Sequence, residues 1–78
     1  MAIGAYALIN QNAGADAYNT AVGYNAGGAV TTGTHNTLFG GLAGDALTTG
    51  SYNIAIGYNA LGLEDGHGAN VAIGLSLI

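Results

Sequence analysis

The apolar positions of this chain fall in short runs that recur. A hydrophobic residue followed by glycine appears at Ile3-Gly4, Val22-Gly23, Phe39-Gly40, Ile56-Gly57 and Ile73-Gly74. The glycine numbers differ by 19 and then three times by 17 (23 − 4, 40 − 23, 57 − 40, 74 − 57). Other columns keep the same register: Asn19, Asn36, Asn53 and Asn70 in one, Ala26, Ala43 and Ala60 in another, Gly33 and Gly50 in a third. Whole phrases return as well, Gly23-Tyr24-Asn25-Ala26 as Gly57-Tyr58-Asn59-Ala60 and Thr31-Thr32-Gly33 as Thr48-Thr49-Gly50. A fixed period of this kind is the mark of a repeat architecture and has to be read before anything else.

A 17-residue unit is too short for the paired helices of helical repeats, and its glycines work against helix at about 1 kcal/mol each relative to alanine. Strands remain. The β-compatible runs are Thr20-Ala21-Val22, Thr37-Leu38-Phe39, Ile54-Ala55-Ile56 and Val71-Ala72-Ile73, each with Asn before it and Gly after it. Gly and Asn accept positive φ at least cost and supply the turns. The expected fold is all-β: a parallel β-solenoid of about four 17-residue coils filling residues 1–78 as one module. Coils begin near 2, 20, 37 and 54, a final strand runs over 71–78, and equivalent strands stack about 4.8 Å apart.

Side-chain alternation puts Ile3, Val22, Phe39, Ile56 and Ile73 in one ladder, with Thr20, Thr37, Ile54 and Val71 on the same side. Ala21, Leu38, Ala55 and Ala72 face the other way. Both faces are apolar, as in strands buried on two sides. One face fills the coil and the other needs cover from outside the chain. Because small residues admit close approach, Ala21, Leu38, Ala55 and Ala72 are the expected interface of a homo-oligomer, three chains about an axis parallel to the solenoid. The Asn19, Asn36, Asn53 and Asn70 column is expected either to form amide ladders between coils or to occupy left-handed corners.

Composition sharpens this picture. Glycine and alanine fill 30 of 78 positions and Val, Ile, Leu and Phe only 18, too few for a conventional two-layer core. The sequence has no proline, although ordinary usage near 5% predicts about four. Stacked strands explain the lack, since a residue without an N–H breaks a ladder. Lysine and arginine are also missing, so the ends carry none of the usual devices against edge-to-edge pairing. The chain is therefore expected to belong to something longer, either as a piece of a fibre or through end-to-end stacking at Ala2, Ile3, Leu75, Leu77 and Ile78. The formal charge of −4 without any Lys or Arg argues against nucleic acid and acidic membrane surfaces as partners. With no cysteine there are no disulfides or thiolate metal sites, and no apolar stretch reaches the 18 residues of a membrane-spanning helix.

The phrases Asn-Thr-Ala-Val-Gly-Tyr-Asn-Ala at 19–26, Asn-Ile-Ala-Ile-Gly-Tyr-Asn-Ala at 53–60 and Asn-Val-Ala-Ile-Gly at 70–74 resemble the head repeats of trimeric autotransporter adhesins. Repeats with Thr-Thr-Gly turns are similar to those of phage tail fibres. The resemblance covers nearly the whole chain, less closely over 5–18. It implies a left-handed parallel β-roll, trimeric, serving as an extended attachment module outside the cell or on a virion. The coil here is longer than the common adhesin unit, and neck, stalk and anchoring barrel are missing from the sequence. No receptor-binding residue carries over, because the matching positions are structural.

Candidate chemistry is sparse. His35 aligns with Tyr18 and Tyr52 while His67 aligns with Gly33 and Gly50, so the two histidines do not stack and no zinc or catalytic pair is expected. Glu64, Asp65 and His67 form the densest polar cluster but lack the spacing of a calcium-binding nonapeptide. Ser51 and Ser76 have no positioned base. No catalytic residue, cofactor or metal is expected, and the chain reads as a non-enzymatic structural or attachment module with itself as principal partner and a host-surface receptor or glycan as a further one. The alternative is a soluble ice-binding or glycan-binding solenoid. It rests on the threonine pairs at 31–32 and 48–49, an array two coils deep, and on scattered tyrosines.

Overall fold

The computed structural model describes residues 1–12, 17–62 and 68–75. Among them there is no helix. Five short strands, β1 (Ala2–Ile3), β2 (Thr20–Val22), β3 (Thr37–Phe39), β4 (Ile54–Ile56) and β5 (Val71–Ile73), form one parallel sheet in the order β1-β2-β3-β4-β5. The register is that of the repeat: Ile3 pairs with Val22, Val22 with Phe39, Phe39 with Ile56 and Ile56 with Ile73. The segments between strands are layered too. The N–H of Asn25 donates to the Ala5 carbonyl (2.8 Å) and that of Leu42 to Tyr24 (2.9 Å), while the N–H of Gly27 donates the opposite way to Ala43 (2.8 Å). Each repeat is thus bonded to the one before and the one after along much of its length, an arrangement compatible with a β-solenoid.

The glycine after each strand is needed for two independent reasons. Gly4, Gly23, Gly40, Gly57 and Gly74 have φ between 118° and 139°, where L side chains rarely go. They also lie against one another: a Cβ on Gly40 would sit 2.6 Å from the Gly57 carbonyl oxygen, which is backbone and has nowhere to move. The layers approach most closely along this column.

The inside and outside of the strands are the reverse of the sequence expectation. Ala21, Leu38 and Ala55 have no exposed surface and Ala72 retains 5%. They point into the layer, where they meet Ala26, Ala43, Ala60, Val30, Leu47 and Leu61 in a single apolar core. They are therefore unavailable to a second chain. The small residues are explained by how narrow the layer is, and the backbone that approaches them belongs to the same chain. The bulky ladder of Ile3, Phe39, Ile56 and Ile73 faces outward.

Two columns, one in the strand and one in the loop, share the core volume. Leu38 is the single large residue among Ala2, Ala21, Ala55 and Ala72, and its methyl groups fill the space beside Gly27 and Gly44, where an added Cβ would lie 2.7 and 2.8 Å from them. The same loop position holds Leu8 beside Ala2 and Leu61 beside Ala55, whereas beside Ala21 it is Gly27, where a Cβ would meet Leu38 Cδ1 at 2.7 Å and Leu8 Cδ2 at 3.1 Å. All four take the same left-handed conformation, with φ of 52°, 60°, 60° and 55° at Leu8, Gly27, Gly44 and Leu61. Three leucines, Leu8, Leu38 and Leu61, fill the interior over these four levels, and the level of Ala21 and Gly27, which has none of its own, is filled by Leu8 and Leu38 from its two neighbours. A second pair of columns shares space in the same way: the Asn25 and Asn59 side chains occupy the space where a Cβ on Gly28 or Gly62 would go, whereas Leu42 is accompanied by Asp45.

Candidate functional site

The residues singled out by the sequence fall on three surfaces and one buried column. The buried column is asparagine. The Asn19 Oδ1 accepts from the Asn36 N–H (2.9 Å), the Asn36 Oδ1 from the Asn53 N–H (3.0 Å) and the Asn53 Oδ1 from the Asn70 N–H (3.0 Å). Asn19 Nδ2 donates to the Gly33 carbonyl and Asn36 Nδ2 to that of Gly50, both at 2.9 Å. The ladder is therefore side chain to backbone of the next layer, not amide to amide. The left-handed corner lies one residue earlier, at Tyr18, His35, Tyr52 and Ala69, with φ between 58° and 62°. This corrects the placement of the asparagines themselves in left-handed corners. The amides of Asn19 and Asn36 and the Asn53 Oδ1 are consumed in holding layers together, and Asn19, Asn36 and Asn53 are buried, so they offer no ligand-binding row; the Asn70 Nδ2, in the last described layer, is buried with no partner among the described residues.

The corner carries a feature that alignment contained but sequence reasoning did not read. The His35 ring stacks on Tyr18 (centroids 5.0 Å, 27° between planes) and on Tyr52 (4.6 Å, 12°). The spacing is that of the layers. Tyr18 and Tyr52 are about two-thirds exposed, yet in a stack with planes across its axis the rings show mainly edges, which is poorly suited to lying on a sugar face. His35 Nδ1 lies 3.0 Å from the Thr34 hydroxyl, and Ser51 Oγ accepts from the Thr34 N–H at 3.0 Å. Ser51 is thus engaged in the turn. Tyr24 meets Tyr6 edge to face at 5.8 Å.

Elsewhere the polar groups do not converge. Among the described residues no group of three His, Cys, Asp or Glu side chains comes together and no pocket opens. Glu64, Asp65 and His67, together with Ser76, Leu77 and Ile78, lie outside the described residues. Asp45, a described carboxylate, has its pKa raised above 3.8 by burial, partly offset by a backbone hydrogen bond. The Thr31 hydroxyl leans on the Thr48 carbonyl at 3.4 Å while Thr32 and Thr49 are exposed, so that threonine array is two layers deep.

The outer strand face is an uncovered apolar surface. Ile3, Phe39, Ile54, Ile56, Val71 and Ile73 are 38–68% exposed, and no charged residue lies in either outward column. Contiguous exposed apolar patches are common at interaction surfaces of proteins in general. Among the described residues β1 and β5 are the outermost strands, with Ala2 and Ile3 in the first and Leu75, 70% exposed, just after the second.

Comparison with known proteins adds no family. No family model matches the chain, and neither a curated protein nor a solved structure matches it.

Proposed function

We propose that this chain is a non-enzymatic structural module: a parallel β-solenoid of about four 17-residue coils that self-assembles into a trimer about an axis parallel to the stack, as part of an extracellular fibre. The resemblance to adhesin head repeats and phage tail fibres supports a left-handed coil and a role in attachment at a cell surface or on a virion. The single observation that carries this reading is the outer strand face. An isolated chain leaves Ile3, Phe39, Ile54, Ile56, Val71 and Ile73 in water while Leu38, Leu47 and Leu61 already fill its interior, so the face is free for other copies. End-to-end stacking at the outermost strands, through Ala2, Ile3 and Leu75, belongs to the same proposal.

Sedimentation and native mass measurement, followed by particle imaging, test it. Elongated trimers or filaments are expected; a monomer at all accessible concentrations overturns the reading. Ile56→Lys supplies the control. Its side chain points outward, so the monomer fold survives, but a charge placed in a dry interface blocks association.

A further inference from the structure

The sequence lacks the side chains of the common covalent staples, with no cysteine for a disulfide and no lysine for an amide bridge, but it holds five tyrosines. Phenols join to one another by one-electron oxidation. Whether they join within one chain depends on which rings the fold brings together. Tyr18 and Tyr52 both lie flat against His35, so neither meets a phenol on that face. Tyr58 lies over Gly41, where an added Cβ would meet its ring at 3.5 Å. Tyr6 and Tyr24 are the tyrosines in ring contact among the described residues, edge to face with centroids 5.8 Å apart.

We infer that Tyr6 and Tyr24 are a site of oxidative modification, joined as an intrachain dityrosine by a haem peroxidase turning over hydrogen peroxide, and that this bond staples the first two layers. Association of copies plays no part in it. Both rings are more than half exposed, 56% and 59%, and so open to an oxidant and to rotation. Their backbones are held. The Gly23 N–H donates to the Ile3 carbonyl at 2.7 Å on one side of the pair and the Leu8 N–H to Ala26 at 3.0 Å on the other, which keeps the two segments one layer apart. A radical on one ring therefore meets the other at an effective concentration that a second molecule in dilute solution does not reach. Each phenol gives one electron to the peroxidase and its hydroxyl proton to water, leaving a radical shared with the ring carbons beside the oxygen-bearing one. Two such radicals form one bond between Cε atoms, and as the hydrogen on each bonded carbon leaves as a proton, each oxygen regains one. One hydrogen peroxide takes up both electrons and two protons and leaves as two waters. The chain loses two hydrogens and keeps both hydroxyls.

The staple falls where the described stack is least secured. β1 is matched to β2 over two residues, whereas β2 to β5 are matched to one another over three, and Ala2 and Ile3 are exposed. Segments with few buried contacts open first. A bond from residue 6 to residue 24 ties that layer to the next and restricts the freedom it gains on opening, as a disulfide does.

The full chain in dilute solution is treated with a haem peroxidase and hydrogen peroxide, denatured, and cleaved on the amino side of Asp16 and Asp45, which puts Tyr6 in residues 1–15 and Tyr24 in residues 16–44. The expected product has the mass of a single chain less two hydrogens, shows dityrosine fluorescence, and yields these two peptides joined. Tyr6→Phe and Tyr24→Phe each abolish the joined peptide, whereas Tyr18→Phe, in the same second peptide, keeps it. Peptides that stay separate, or that are joined only in products of two chains, overturn the site, and so does a joined peptide that survives Tyr24→Phe. An equal yield in concentrated urea overturns the role of the folded geometry. Treatment should also raise the urea midpoint of the parent chain and leave that of Tyr6→Phe unmoved; a parent midpoint that does not rise overturns the staple.

Discussion

Replacing Leu38 with alanine removes the one large strand residue in the core. Leu38 is fully buried, and the loop positions facing it are Gly27 and Gly44, which have no side chain to move into the vacated space. Large-to-small changes at buried leucines cost about 2–5 kcal/mol, more where the surroundings cannot collapse. We therefore expect about 4 kcal/mol for Leu38→Ala. A chain of this length has on the order of 4–12 kcal/mol in all, so the variant should be marginal. The sharing of core volume between strand and loop columns predicts its rescue. Adding Gly44→Leu gives the repeat the alanine-plus-leucine interior seen at Ala55 and Leu61, where leucine already takes φ of 55°. The left-handed leucine costs about 1–2 kcal/mol, leaving a net recovery of roughly 2 kcal/mol. Alone, Gly44→Leu drives its side chain into the Leu38 methyls and should destabilise by about 1–3 kcal/mol. The assay is urea unfolding followed by far-ultraviolet circular dichroism at fixed protein concentration, since association shifts apparent stability. Leu38→Ala within about 1 kcal/mol of the parent would refute the packing argument. So would effects of the two changes that simply add.

Three further outcomes are expected. Gly40→Ala should cost more than about 3 kcal/mol because strain and a backbone clash coincide, whereas Gly41→Ala, whose Cβ would meet only the Tyr58 ring at 3.5 Å, should stay within about 1 kcal/mol; paired thermal melts check the contrast. Asn36→Ala strands the Asn53 N–H and the Gly50 carbonyl and should cost roughly 3 kcal/mol, read as faster hydrogen exchange at the Asn53 amide. Burial raises the Asp45 pKa, so the folded chain holds that proton more tightly than the unfolded one. Its contribution is fully present below the ordinary aspartate range, declines as pH rises through it, and levels off above the raised native value. Urea midpoints from pH 3 to 7 should show a steeper loss for the parent chain than for Asp45→Asn, with the variant the more stable at neutral pH.

The strands were legible because their register is over-determined. Hydrophobic-Gly pairs, asparagines and recurring phrases all give 17 residues, and β2 to β5 occupy the segments so marked. The asparagine column was legible as a ladder, but its partners were not, because column alignment says which residues stack and nothing of which atoms meet. The corner stack was present in the alignment of Tyr18, His35 and Tyr52 yet went unread as contact. Adjacent members of one column are a layer spacing apart, so flat rings there must stack if they leave the corner in the same direction.

Inside and outside were misassigned for a physical reason. With both strand faces apolar, alternation does not choose between them, and the habit of giving the bulkier set to the core chooses wrongly when the interior is only one layer wide. The side chains opposite the strand are Val30, Leu47 and Leu61, from loops threaded with left-handed residues, where neither a period of 2 nor one of 3.6 survives. The informative signal was compensation of size between columns. Leu38 stands beside Gly27 and Gly44, and leucine occupies that loop position beside Ala2 and Ala55, though not beside Ala21, whose level borrows Leu8 and Leu38 from its neighbours. Columns that trade volume must share a space. The other strand column runs Ile, Val, Phe, Ile, Ile without any such trade, because it faces away from the chain's own core and has no facing column to trade with.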